Sequence, residues 1–91
     1  MREATLQKKI KADLEEAGWL VFKLSTPGQT GVPDLLIMRG GCFEFIEIKT
    51  TGGKLSPKQK WWHEQLNQKT SRVVIVILSL EHWNELKDQI L

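Results

Sequence analysis

Apolar residues recur at helical spacing in the first stretch of the chain: after Glu3, the residues Leu6, Ile10, Leu14 and Ala17 follow at intervals of 3, 4, 4 and 3. That periodicity sets them on one face of a helix, which Gly18 stops. Residues 19–24, Trp-Leu-Val-Phe-Lys-Leu, read as a short apolar, aromatic strand. Residues 25–33 are too rich in Gly and Pro to pair regularly and predict a loop. Residues 34–39 and 42–50 predict two strands joined at Gly40-Gly41, where both residues accept the positive φ of a tight hairpin. After a second loop at 51–55, Ser56 serves as N-cap, Pro57 takes the first helical position, and Gln59 stands three residues past the cap. This helix is expected to reach about residue 68. Residues 72–78 are apolar on both faces and β-branched, which predicts a strand covered on both sides in the middle of the sheet. Ser79 caps a last helix bearing Trp83, Leu86 and Ile90. The order α-β-β-β-α-β-α predicts a small α/β fold.

The hairpin has a chemical consequence. With its turn at Gly40-Gly41, Met38 lies opposite Phe43, Leu36 opposite Phe45 and Asp34 opposite Glu47, all on one side. Opposed residues on antiparallel strands hold their Cβ atoms only ~4.5–5.5 Å apart, so two carboxylates meet at the end of an otherwise apolar face. They repel, and burial beside Leu36 and Phe45 raises the cost unless a cation neutralises them. Lys49, two residues past Glu47, projects from the same face. Glu3 lies on the apolar stripe of the first helix, which predicts a core-facing carboxylate joining the cluster; a helix-dipole role in the first turn is the equal alternative. Two or three carboxylates beside a Gly-rich loop suit a hard divalent cation, Mg²⁺ above all, which keeps several waters and binds substrate phosphates. That chemistry points to phosphate esters, with Lys49 orienting a water or stabilising developing negative charge. Among other signatures, His63 and His82 show no partners in the sequence, and Gly28 and Gly31 lack the spacing of a nucleotide loop, so no nucleotide cofactor is expected.

Composition narrows the setting. A chain of 91 residues, 41% hydrophobic and 26% charged, is the size of one domain, residues 1–91, and of ordinary globular mixture. Its net charge of +2 permits nucleic-acid binding without demanding it. A lone Cys42 makes no internal disulfide and leaves too few ligands for structural zinc, which fits a reducing, cytoplasmic compartment. No apolar run approaches the ~18 residues of a membrane span. Four tryptophans and two strongly apolar strands are more than so short a chain readily hides, which makes an oligomer plausible.

Gly31-Val32-Pro33-Asp34 followed by Glu47-Ile48-Lys49 resembles the PD-(D/E)xK nuclease superfamily, whose αβββαβ core matches the first elements here. With Glu3 on the first helix and Gln59-Lys60-Trp61-Trp62-His63 on the second, the pattern is similar to the virus-type replication-repair nuclease (VRR-Nuc) family. The resemblance implies a restriction-endonuclease-like fold, a mixed central sheet flanked by helices, with one further C-terminal helix. It also implies Mg²⁺- or Mn²⁺-dependent hydrolysis of DNA in a bacterial or phage-infected cell. Asp34 and Glu47 would ligate the metal with help from the Ile48 carbonyl, Lys49 would act on the attacking water, and Glu3 would be an additional ligand. Relatives that stand alone resemble Holliday-junction resolvases in forming homodimers, so a homodimer cutting branched DNA is the expectation. A flap or end-processing nuclease and a silent DNA- or partner-binding module are the alternatives.

Several residues admit two readings. Gln59 completes a Ser-x-x-Gln capping box or positions water or phosphate in the active site. His63, one turn later, contacts phosphate or is merely packed. Lys54, Lys58 and Lys60 form a phosphate track or a solvated face. Thr26, Gln29 and Thr30 touch phosphates or serve as plain turn residues. Trp62 points to the core and leaves Trp61 for an interface, a surface site or base stacking.

Overall fold

The structure, a computed structural model, describes residues 1–24, 30–50 and 52–91. Seven elements follow one another: α1 (Glu3–Glu16), β1 (Leu20–Lys23), β2 (Leu35–Arg39), β3 (Cys42–Ile48), α2 (Pro57–Thr70), β4 (Ile75–Ile77) and α3 (Leu80–Ile90). The helices and hairpin form where periodicity and turn residues place them. Gly40 and Gly41 have φ of 57° and 80°, the positive values that a two-residue hairpin turn requires.

The sheet has the order β1-β2-β3-β4. Its first three strands are antiparallel neighbours, whereas β4 runs parallel to β3 through the α2 crossover. One face carries Leu35, Ile37, Ile46, Ile48 and Ile77, which pack with Leu6, Ile10 and Leu14 of α1 and with Trp83 of α3. Each fully buried aliphatic side chain stabilises by about 1.5–3 kcal/mol, so this cluster dominates the fold. Trp83 and Trp19 are both buried in it. The Trp83 indole N–H donates to Asp13 Oδ2 at 2.8 Å, tying α3 to α1.

β4 corrects the expectation of a central strand. It lies at the sheet edge and is shorter than predicted, with Val73 and Leu78 exposed at its two ends. Between them, Val74 and Ile77 are buried and Ile75 packs on the core cluster. Apolar residues on both faces report cover from above and below, not strand neighbours on both flanks. After β4 the chain turns into α3 instead of adding another strand.

Candidate active site

The β2–β3 register pairs Leu35 with Ile46, Leu36 with Phe45 and Met38 with Phe43. The next position up the ladder sets Asp34 opposite Glu47, as the hairpin arithmetic predicts. Pro33 is buried, and the Asp34 carbonyl accepts from Leu24 N–H at 2.9 Å, so the backbone of Asp34 is held against the chain just past β1. Its side chain then continues the ladder on the other flank: Ile48 N–H donates to Asp34 Oδ2 at 2.7 Å. One carboxylate oxygen of Asp34 is thereby spent on orientation and the other is left for chemistry.

Glu47 is only 3% exposed. Burial pushes its carboxyl up to about 9, and a shared hydrogen bond and the charge of Asp34 push the same way, with a smaller contribution from Glu3. Lys49 pulls in the opposite direction. In the metal-free protein the Glu47 carboxyl therefore holds a proton near neutral pH, beside Asp34. Such a pair accepts a divalent cation by giving that proton up.

The donor set fits a hard cation of the Mg²⁺ type. Among the described residues, no group of three His, Cys, Asp or Glu forms an all-protein cage. Mg²⁺ does not need one, because it binds through one or two carboxylates and keeps several waters. Lys49 N–H donates to Ile77 O at 2.9 Å on the β4 side, so strand alternation turns the neighbouring Ile48 N–H and carbonyl toward Asp34. Glu3 departs from its expected placement. Its side chain is exposed, not core-facing, and its Oε1 accepts from Thr50 N–H at 3.0 Å. The third carboxylate thus ties the start of α1 to the end of β3 and reaches Glu47 only as a nearby charge.

α2 lies across the sheet face opposite the main core and delivers His63, whose Nε2 stands 3.3 Å from Glu47 Oε1. Burial lowers the His63 imidazole below its ordinary value, so it is neutral at pH 7. The sequence offered no partner for this histidine; its place one turn past Gln59 was the available signal. His82 also has a partner, since its Nδ1 accepts from Leu78 N–H at 3.0 Å at the start of α3. Gln59 forms both halves of the capping box: its N–H donates to Ser56 Oγ at 3.2 Å and its Oε1 accepts from Ser56 N–H at 2.8 Å.

Residues 3–77 match the VRR-NUC domain family. The chain belongs to that family. A phage protein named "Putative nuclease p44", from Acyrthosiphon pisum secondary endosymbiont phage 1, is 30% identical over 77 residues, covering 84% of this chain and 83% of its own. A solved "VRR_NUC domain" structure superposes with a TM-score of 0.82 at 33% identity, covering 98% of this chain and 97% of its own.

The VRR-NUC match takes in the Asp34–Glu47 pair, Lys49, Gln59 and His63. Beside the pair, Gly31 lies so close to α2 that a Cβ there would sit 2.8 Å from the Lys58 carbonyl carbon. Gly31, with φ of 94°, is thus where the loop before Asp34 receives the first turn of α2. This brings Lys58 to the Gly-Val-Pro-Asp segment, with Thr30 exposed next to it. Lys54 and Lys60 are exposed on the adjoining loop and turn. Trp62 is half-buried and Trp61 is 54% exposed, the two rings meeting edge to face at 5.2 Å. Thr26 and Gln29 lie outside the described residues.

Proposed function

We propose that this VRR-NUC domain is a Mg²⁺- or Mn²⁺-dependent endonuclease that hydrolyses DNA phosphodiesters in branched structures, acting as a homodimer on four-way junctions. The observation that carries the reading is the buried Glu47 carboxyl paired with Asp34, which is itself fixed on Ile48 N–H at 2.7 Å. Burying Glu47 beside a second acid is costly and contributes nothing to the core, so the arrangement is understandable as a cation site.

Asp34, Glu47 and the Ile48 carbonyl would hold the ion, which when bound supplies Lewis acidity and an acidified water. The chain's own residues do the rest. Lys49, on the same face as Glu47, offers positive charge where the phosphoryl oxygens become more negative. Ile48 N–H orients Asp34. Neutral His63 sets the Glu47 carboxylate from the α2 side. The Gln59 amide oxygen is held in its helix cap, so its NH₂ is the end free to meet a phosphate or water. Lys54, Lys58, Lys60 and Thr30 border the site where a backbone could run.

Incubating four-way junction, flap and duplex DNA with the protein and Mg²⁺ or Mn²⁺ tests the reading. Paired symmetric nicks on junctions are expected, and Asp34→Asn or Lys49→Ala should lower cleavage by at least ~100-fold, a typical loss for an electrostatic catalytic group. No cleavage of any substrate would refute the enzyme. Single nicks or trimming from ends would replace junction resolution with flap or end processing.

A further inference from the structure

Trp61 is a large apolar side chain that neither the core nor the acid pair uses. It stands 54% exposed in the first half of α2, whereas Trp62 and Leu66, the other large apolar residues of that helix, are half-buried. Its ring meets that of Trp62 edge to face, with centroids 5.2 Å apart and planes at 86°. Such a contact occupies at most one face of either ring, so the exposed Trp61 keeps a flat apolar face open. Trp62 also braces the ring, which reduces the freedom it would lose on binding.

The surroundings of the ring are cationic. Lys58, three residues earlier, is its neighbour on the helix surface, with Cβ atoms about 5–6 Å apart. Lys60 is exposed on the same turn and Lys54 on the loop before it. The next charged residue along α2 is acidic: Glu64, which accepts from the Gln68 amide at 3.3 Å. The lysines therefore run up to Trp61 and stop there. Gly31 fixes the place of this track relative to the acids, because it lies against the Lys58 backbone. Three residues of chain, at most about 11 Å, lead from Gly31 to Asp34. The root of Trp61 is thus within about 20 Å of the acid pair, the length of about six nucleotides along one strand of a duplex.

We infer that Trp61 stacks on an unpaired base near the scissile phosphate and thereby selects branched DNA over intact duplex. A base inside a duplex has both faces covered by its neighbours, and freeing it costs energy; a base at a branch or fork has a face to give. A positively charged track with an aromatic ring beside it is how single-stranded nucleic acid is held without regard to sequence. A protein partner fits this place less well. Protein interfaces take contiguous apolar area, and Trp61 is the one large apolar side chain exposed on α2, set among Lys58, Lys60 and Glu64. The inference rests on the reading of the chain as a DNA nuclease and names the residue that gives that site its preference for branches.

Binding in chelator, where DNA stays uncut, tests it with three probes: a fork with unpaired arms, the same fork with abasic arms, and plain duplex. The wild type should bind the intact fork more tightly than the abasic one. Trp61→Ala should weaken binding to the intact fork by roughly 5- to 150-fold, the loss typical of one stacked base, and leave the abasic fork and the duplex unchanged. Trp61→Phe, which keeps a ring, should retain most of the preference. Equal wild-type affinity for the two forks overturns the inference, as does a Trp61→Ala loss that is absent or equal on all three probes. A changed solution mass of Trp61→Ala also overturns it, by assigning the ring to a protein contact. Should Trp61→Ala lose the native circular dichroism spectrum, Trp61→Lys removes the ring in its place, and the wild-type comparison of the two forks needs no variant. Nicking in Mg²⁺ or Mn²⁺ judges the nuclease reading apart. Trp61→Ala should cut saturating fork at the wild-type kcat with a raised KM, because no chemical step passes through the ring. A protein that prefers the intact fork through Trp61 yet never nicks DNA fails that reading and keeps the inference; one that nicks while Trp61→Ala loses no preference does the reverse.

Discussion

At the residue scale, Glu47 and Gly31 carry the sharpest consequences. The folded Glu47 carboxyl is raised from 4.5 to about 9, so the folded state holds a proton that the unfolded chain releases. Stability linked to Glu47 is complete below pH 4.5 and is lost as pH climbs toward 9. Melts in chelator should therefore show a higher Tm at pH 5 than at pH 8. Glu47→Gln should remove that loss, stabilising the metal-free protein at pH 8 by about 1–3 kcal/mol while abolishing cleavage. A variant no more stable than wild type at pH 8 would contradict the raised Glu47 carboxyl. Gly31→Ala should destabilise by about 1–3 kcal/mol through its positive φ and the clash with the Lys58 backbone. Urea unfolding measures that cost, and a neutral result would mean that α2 sits farther from the loop.

Between elements, one hydrogen bond joins the two helices on the core side. Burial pushes the Asp13 carboxyl up, but the Trp83 indole N–H and Lys9 outweigh it and hold Asp13 below its ordinary 3.8. The sign is opposite to that of Glu47: the contribution of Asp13 is present above pH 3.8 and fades as pH falls through the lowered value. Asp13→Asn should be less stable than wild type at pH 6, with the gap narrowing in acid; a constant gap would assign the loss to packing alone. The elements also show how far pattern reading reaches. Helical periodicity predicted α1 from Leu6, Ile10 and Leu14, and Ser56 with Gln59 predicted the start of α2. β4 was misplaced because Ile75 and Ile77 look alike whether the neighbour is a strand or solvent, provided that helices cover both faces.

For the whole molecule, the small net charge of +2 conceals separation. Acids gather at Asp34 and Glu47, while Lys54, Lys58 and Lys60 stand along the adjoining loop and helix. If these lysines meet phosphate, replacing all three with Ala should weaken DNA binding and flatten its salt dependence, by about 0.9 in the log–log slope for each phosphate no longer neutralised. Titrations across a salt series check this, and an unchanged slope would leave the lysines as a solvated face. By itself, the sequence determined the order of elements, the hairpin register and hence the Asp34–Glu47 pair. These follow from turn residues and strict alternation along neighbouring segments, so local pattern suffices. Only the tertiary structure decided that β4 is an edge, that His63 reaches Glu47, that Glu3 is spent on Thr50, and that Leu20, Phe22 and Met38 are left exposed on β1 and β2. Those outcomes depend on how α1 and α2 dock against strands distant in the chain, a matter of packing and leftover surface that periodicity does not encode.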